Sequence, residues 1–405
     1  MSGPRFPTRV GSMRWIVTLA AITAVVALSI DMSLPAQPRL AERFDVTAET
    51  AQLTLSLFML GFAATQIFVG YLSDAFGRRL VLLAGLAVFS VIGIACAASP
   101  SIEVLIACRV VQGAGAAAAP VVARAMIRDT QPANHAARLL STMLAALAVA
   151  PMVAPLVGGW LLHTMGWRSI FAALAVTGLV MGAISYFTLA ETLAVADRRP
   201  PSLGGLFRSY ARFFATPGTR LPMLVGCATF AGQFAYIADS PFVLIEGYKV
   251  SPDDFGFYFA TTAFALMLGS LAGVRMLRAG RSPGTMTVIG TSILVVASVL
   301  LVLGTRWGEL GIYGFMVPMV IYFFGTGISS PSATALAMEP VPKLAGTASA
   351  AIGCSVMVSG AVAGYATTRI GGSSPDTFAL VAAAMGGLAF VLAIAAAIGR
   401  ARARR

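Results

Sequence analysis

Gly70-Tyr-Leu-Ser-Asp74-Ala-Phe-Gly77-Arg78-Arg79, GYLSDAFGRR, crowds one acid and two arginines between two glycines, with long apolar runs on both sides. Of the 405 residues, 58% are apolar and only 11% charged, and the mean hydropathy is +0.85. A soluble domain carries roughly 25% charged residues, so this chain lacks the charge to coat a water-facing surface of its size. Its bulk solvent is lipid, and GYLSDAFGRR is a loop between two membrane spans. The chain holds 28 Lys and Arg against 16 Asp and Glu, a formal charge of +12. No soluble domain is there to present a basic face, which argues against a nucleic-acid partner.

A bilayer core about 30 Å thick needs roughly 20 apolar residues in a helix. Cutting the chain at its polar and turn-rich breaks gives twelve spans: 14–36, 50–72, 79–98, 102–126, 138–162, 168–190, 220–246, 253–275, 284–304, 309–336, 344–368 and 376–399. The first follows Arg5, Arg9 and Arg14 as a signal peptide would, but it is longer than such a segment and shows no convincing cleavage site, so it reads as a retained span. Ser251-Pro252-Asp253-Asp254 and Ser374-Pro375-Asp376 supply a cap, a first-turn proline and acids for the positive end of a helix.

Lys and Arg orient the spans. With both termini cytoplasmic, 21 of the 28 lie on the inside, six on the outside, and Arg109 within a span. The basic excess then faces the anionic cytoplasmic leaflet. The polar stretch 191–219 reads as a cytoplasmic linker between a first six-helix half, 1–190, and a second, 220–405. Shifting by 203 residues lays Gly70, Gly77 and Arg78 on Gly273, Gly280 and Arg281, at matching loops of the two halves. Two similar six-span halves are the pattern of an all-α transporter with two pseudo-symmetric bundles. Cys96, Cys108, Cys227 and Cys354 stand singly in apolar runs, and His135 and His163 are isolated, so neither a disulfide framework nor a metal site is expected. No nucleotide-binding loop appears, so ATP is not the energy source, and no nucleophile–base arrangement points to an enzyme. No cofactor is expected.

GYLSDAFGRR resembles the loop 2–3 signature of the major facilitator superfamily, G-x-L-x-D-x-x-G-R-R. Arg109-Val-Val-Gln112-Gly113-Ala-Gly115 resembles that family's fourth-span motif. Pro151-Met-Val-Ala-Pro155-Leu-Val-Gly158-Gly159 resembles the fifth-span motif of its proton-driven antiporters. The stretches DMSLPAQP (31–38), GWRSIF (166–171), SPFVLIEGYKVSP (240–252) and AGTASAAIG (345–353) are similar to the bicyclomycin-resistance (Bcr/CflA) branch of twelve-span drug:proton antiporters. The resemblance covers nearly the whole chain. It implies the major facilitator fold, twelve spans in two six-helix bundles, in a multi-pass protein of the bacterial inner membrane.

Several residues carry candidate chemistry. Asp31 lies deep in span 1, where a carboxylate costs about 2.5–3.5 kcal/mol. It serves either as a proton and cation site or as an interface residue near the outer end. Asp239, in YIADSPF, holds a similar depth in the second half, with a proline shortly after each acid. It is either a second protonation site or a solvated residue at the span's outer end; the branch has a small residue there, a departure. For Arg109 the resemblance implies a place in the proton-coupling network; the bland reading is a structural arginine bonding backbone carbonyls. Phe58, Met59, Gln112, Phe230, Phe234, Tyr236, Tyr258 and Tyr322 are candidates to line a drug cavity, because aromatic and Met surfaces adapt to varied apolar ligands; each also fits plain packing or lipid contact.

Asp74 and Arg78 are four apart, close enough to pair. The resemblance implies that Asp74 sits against the start of span 11 near Gly346, and that Arg78 pairs with an acid at the end of span 4, a position matched by Asp129. With Gly70, Gly77 and Arg79 they would form a conformational latch favouring one access state. An interface anchor alone accounts for the arginines, not for Asp74 and the glycines. The function implied is a monomeric, proton-coupled exporter of amphipathic drugs or other xenobiotics. An exporter or proton symporter of a small endogenous metabolite is the alternative. A membrane sensor would need a sizeable soluble domain, which the longest loop cannot supply.

Overall fold

A computed structural model describes residues 10–132, 136, 139–140, 143, 149–198, 203–307, 310–371 and 374–403. Among them the regular structure is helical, without strands. Fifteen α-helices are described: α1 (Met13–Asp31), α2 (Gln37–Phe44), α3 (Ala48–Phe76), α4 (Arg78–Ala97), α5 (Ile102–Ala116), α6 (Ala118–Thr130), α7 (Ala150–Met165), α8 (Trp167–Thr188), α9 (Leu203–Ala215), α10 (Arg220–Pro241), α11 (Pro252–Arg278), α12 (Pro283–Arg306), α13 (Gly311–Met338), α14 (Ala345–Gly371) and α15 (Pro375–Ala403).

Eleven stretches of described helix are long and apolar enough to cross a membrane. The expected span 138–162 falls partly outside the described residues; its second part is α7, 16 residues long. The chain is a multi-pass membrane protein. Small polar caps open several helices where Ser precedes Pro. Ser251, Ser282 and Ser374 each accept the backbone N–H three residues on, at 3.1, 3.2 and 3.2 Å, and proline at the first helical position has no N–H to leave unpaired.

Two spans break where the sequence reading drew them whole. α1 stops at Asp31, and a 3-10 turn (Leu34–Ala36) leads into α2. Pro35 has no N–H to return to the carbonyl of residue 31. The Ser33 hydroxyl bonds back to Ile30 O at 2.9 Å. Span 7 breaks likewise: α10 ends at Pro241 and continues as a π-helical turn, Phe242–Gly247. Ser240 donates to Ile237 O at 3.4 Å, the carbonyl that Pro241 cannot serve.

The chain forms two compact units. Unit 1 comprises Met1–Ala36 with Leu57–Leu203, and unit 2 comprises Gln37–Ser56 with Gly204–Arg405. The segment 37–56, first-half in sequence, thus belongs to the second unit. The linker also departs from a plain tether: 13 of its residues form α9, because Leu206, Tyr210 and Phe213 share one helical face.

Candidate functional site

Unit 1 carries a charged cluster at the junction of α3 and α4. Gly77, between the two helices, has φ +99°, a conformation open to glycine and strained for other residues. A Cβ there would also lie 2.5 Å from Glu191 Oε2. That carboxylate takes the place of a helix cap: Oε1 accepts the Arg78 N–H at 3.0 Å and Oε2 the Arg79 N–H at 3.1 Å. It also accepts the N–H groups of Thr192 and Leu193, each at 3.0 Å. A negative charge at the start of a helix is favoured by the macrodipole.

Arg78 is held from two sides. Nη1 donates to Asp74 Oδ1 at 2.5 Å and Nε donates to Asp129 Oδ2 at 2.8 Å. Nη1 also donates to the Ser73 hydroxyl at 2.7 Å. The Arg78 side chain is 8% exposed while that of Asp74 is 51% exposed, so the arginine is the inner member and the acid the outer one. Arg79 turns the other way, donating to Tyr186 O at 2.6 Å with its guanidinium 4.8 Å from the Tyr186 ring centre. Gly70 lies one turn before the cluster, and its carbonyl accepts the Ser73 hydroxyl at 2.8 Å. A cleft of about 430 Å³ opens beside these groups, lined by Asp74, Arg78, Asp129, Thr192, Leu193 and Asp197.

Deeper in unit 1, Arg109 is fully buried. Nη1 donates to Gln112 Oε1 at 2.7 Å and Nη2 donates to Ser29 O at 2.9 Å. Its guanidinium lies 4.2 Å from the Phe58 ring centre and 5.7 Å from that of Phe171. These aromatic faces offset part of the loss of water around a buried cation. Asp31, two residues past Ser29, closes α1 and is 5% exposed. Among the described residues it makes no hydrogen bond or ion pair. It is not the partner of Arg109, which grips the α1 backbone instead.

The fifth-span motif packs against this place. Gly158 and Gly159 are buried in α7, as is Pro155, while Pro151 is half-buried at its start. A Cβ on Gly158 would fall 2.1 Å from Met32 O. The glycine therefore lets α7 touch the backbone immediately after Asp31.

Unit 2 buries a second carboxylate. Asp239 is 0% exposed, which corrects the reading of a solvated outer-end position. The cause is a group of residues far away in sequence. Gln52 Nε2 donates to Asp239 Oδ1 at 3.2 Å and to Ala238 O at 2.8 Å, and Gln52 Oε1 accepts the Thr368 hydroxyl. One turn outward, Arg369 Nη1 pairs with Glu49 Oε2 at 3.0 Å. Gln37 and Thr54 exchange a hydrogen bond at 3.2 Å nearby in the chain.

The proposed cavity residues lie mostly inside the packing of their own units. Phe58, Met59 and Gln112 in unit 1 and Phe234, Tyr236 and Tyr322 in unit 2 are at most 1% exposed, and Phe230 and Tyr258 are partly buried. Tyr236 is ringed by Phe259, Phe315, Phe323 and Phe378, with centroids 5.1–6.2 Å away. Phe230 stacks on Phe234. Among the described residues no cluster of three His, Cys, Asp or Glu is arranged to hold a metal.

Glu191, Gln52, Thr368 and the Glu49–Arg369 pair went unremarked in the sequence. Gln52 carried a usable signal: a polar side chain inside an apolar span is costly unless paired. Glu191 is a lone acid at the end of span 6, followed by a basic linker.

The sequence model described as Major Facilitator Superfamily matches residues 19–365. The uncharacterized MFS-type transporter YdgK of Bacillus subtilis is 31% identical over 346 residues, 85% of this chain and 86% of that protein. A bicyclomycin resistance protein homolog of Haemophilus influenzae is 28% identical over 369 residues, 90% of this chain and 92% of its own length. Among solved structures, the xylose transporter XylE from E. coli superposes with a TM-score of 0.71 at 15% identity, covering 93% of this chain and 96% of that one. At that identity the likeness speaks to the fold alone.

Proposed function

Because this chain belongs to the Major Facilitator Superfamily, we propose that it is a proton-coupled secondary transporter that exports amphipathic drugs or other xenobiotics by alternating access. It works in the bacterial inner membrane as a monomer, without cofactor or enzymatic step, with both termini in the cytoplasm as the Lys and Arg distribution indicates. The relative named for bicyclomycin resistance supports the cargo class.

The observation that carries the coupling is the state of Asp31. It is a buried carboxylate with no partner among the described residues, at a helix end, beside a backbone gripped by Arg109. A carboxylate so placed is unfavourable when charged, so loading a proton and binding a cationic or polar cargo group compete for it. Arg109 is the positioning residue: through Ser29 O it fixes where α1 ends. Asp239, bonded by Gln52, fastens residues 37–56 in unit 2 and is the second candidate for protonation, after Asp31. Gly70, Asp74, Gly77, Arg78, Arg79 and Asp129 are the cytoplasmic latch that favours one access state. Pro151, Pro155, Gly158 and Gly159 seat α7 against residue 32. Phe58, Met59, Gln112, Phe230, Phe234, Tyr236, Tyr258 and Tyr322 meet cargo in the access state that opens their packing.

The test is transport driven by a pH gradient in proteoliposomes. Purified protein under an imposed pH gradient is offered a panel of amphipathic drugs and a panel of small metabolites. Drug moved against its gradient, with protons moved the opposite way, is the expected result. Metabolite movement without drug movement, or drug movement indifferent to the pH gradient, overturns the reading.

A further inference from the structure

One helix is too short to cross a bilayer and too apolar to be a hydrated tether. The 13 residues of α9, LGGLFRSYARFFA, span about 20 Å at 1.5 Å per residue, short of a hydrocarbon core of about 30 Å. One face is docked. Phe213 is fully buried, packed with Met223 and Cys227 at the start of α10, Ala337 and Val341 around the end of α13, and Ala348, Ala351 and Ile352 at the start of α14; Tyr210 packs against the same cluster. The C-terminal turn is pinned as well: the Thr219 hydroxyl donates to Phe213 O at 3.0 Å, and Arg220 Nε donates to Phe214 O. All the partners come from the ends of spans. α9 therefore lies at the rim of unit 2, level with the boundary between membrane and water.

Its other faces are not those of a helix bathed in water. Phe207 and Phe214 are 59% and 38% exposed. Seven residues apart, they fall within about 20° of each other around the helix axis, forming one uncovered aromatic flank. Arg208 and Arg212, both exposed, are one turn apart and sit roughly 100–160° around from the phenylalanines. No Asp or Glu occurs from 203 to 220, whereas Arg208, Arg212 and Arg220 do. A helix with one docked face, one aromatic flank and one basic flank at a membrane boundary has the division of labour of an interfacial helix.

We propose that α9 lies in the headgroup layer and binds anionic phospholipid, with Phe207 and Phe214 among the acyl chains and Arg208 and Arg212 on the phosphates. The cytoplasmic leaflet is the partner if the orientation given above holds; the lipid binding itself needs neither that orientation nor the transport activity. The basic, acid-free surface fits an anionic layer. Docking on unit 2 holds the flank in place, so little ordering is required when lipid binds.

Two measurements on the full-length protein test it. First, p-benzoylphenylalanine is placed at Phe207 or Phe214, and the protein is reconstituted in vesicles of phosphatidylcholine and phosphatidylglycerol and illuminated. Adducts to lipid are expected at both positions. Adducts to protein, whether another molecule or another segment of this chain, overturn the proposal. Second, native mass spectrometry from an equal mixture of the two lipids reads the ratio of phosphatidylglycerol to phosphatidylcholine retained. R208Q/R212Q should lower that ratio by about fivefold per arginine. Arg306→Gln, an exposed arginine that the Lys and Arg distribution puts on the outer side, should leave it nearly unchanged. A ratio unmoved by R208Q/R212Q, or moved equally by Arg306→Gln, sinks the idea.

Discussion

Among the described residues two carboxylates are buried, one in each unit, and their surroundings are opposite. Asp31 is 5% exposed and Asp239 0%. Both sit where a span is interrupted by a proline, Pro35 and Pro241, with a serine hydroxyl bonding back to the carbonyl near the break. The backbone solution is the same and the side-chain solution is not. Asp239 accepts from Gln52, which in turn bonds Ala238 O and Thr368. Asp31 accepts nothing among the described residues. A buried charge that is bonded holds structure together; one that is not is poised to change its protonation or its partner. On the function proposed above, the pair separates a working group from a fastening group, although from the sequence alone they look alike.

The comparison breaks first at Asp31. Asp31→Asn keeps nearly the same volume and removes the exchangeable proton. It should abolish uphill, gradient-driven export and drug-evoked proton release from the solubilised protein, while the melting temperature stays within a degree or two, because no bond is lost. Asp31→Glu should keep part of the activity. Export against a gradient by Asp31→Asn, with proton release intact, would move the coupling site to Asp239. A large loss of stability would instead make Asp31 a fastening group like its counterpart.

Next comes the backbone beside Asp31. Gly158→Ala puts a methyl 2.1 Å from Met32 O, a clash with backbone that only a shift of α1 or α7 relieves. Overpacking of this kind costs about 1–3 kcal/mol. The expected outcome is a folded protein with a lower melting temperature and a drug turnover rate that falls more than drug binding does. Normal turnover would mean that the end of α1 tolerates displacement and that the placement of Asp31 is not critical.

Both acids were legible as acids in apolar runs, and so were the prolines after them. What decides their roles was not legible. Gln52 and Thr368 are 316 residues apart, and Glu191 caps α4 from 113 residues beyond Arg78. Hydropathy and local spacing carry no information on which distant polar side chain closes over which acid. The spans themselves were read well because a lipid solvent imposes one local rule on each of them. They were misjudged where that rule is locally broken, at residues 32–36, at the single-residue interruption between α5 and α6, and past Pro241. α9 was missed for a related reason: Leu206, Tyr210 and Phe213 have helical spacing, but the prolines and arginines around them read as linker.

At Asp239 the expected effect is structural and smaller. Gln52→Ala removes the donor to Asp239 and to Ala238 O together, and leaving a buried acceptor short of its bond costs about 1–3 kcal/mol. Amide hydrogen exchange in residues 37–56 should speed up by roughly 5- to 150-fold, with little change in unit 1. Asp239→Asn keeps an acceptor oxygen for Gln52 and should loosen the same segment less. Equal exchange rates in wild type and Gln52→Ala would mean that the buried bond does not hold 37–56 to unit 2.

The smallest effect belongs to the ion pair outside that bond. Glu49 and Arg369 meet at 3.0 Å, but the arginine side chain is 67% exposed. Charges in contact with water gain little from pairing, since solvent and salt screen them. Glu49→Gln should therefore change exchange in residues 37–56 by about twofold or less. Raising the salt concentration on the wild-type protein should reproduce that change, because salt weakens an exposed pair and spares a buried bond. Glu49→Gln should be nearly insensitive to the same salt series, because its pair is already gone. If Glu49→Gln loosens the segment more than Gln52→Ala does, then the exposed pair is what fastens 37–56 to unit 2. Asp239, relieved of a fastening role, would then stand beside Asp31 as a group free to exchange its proton.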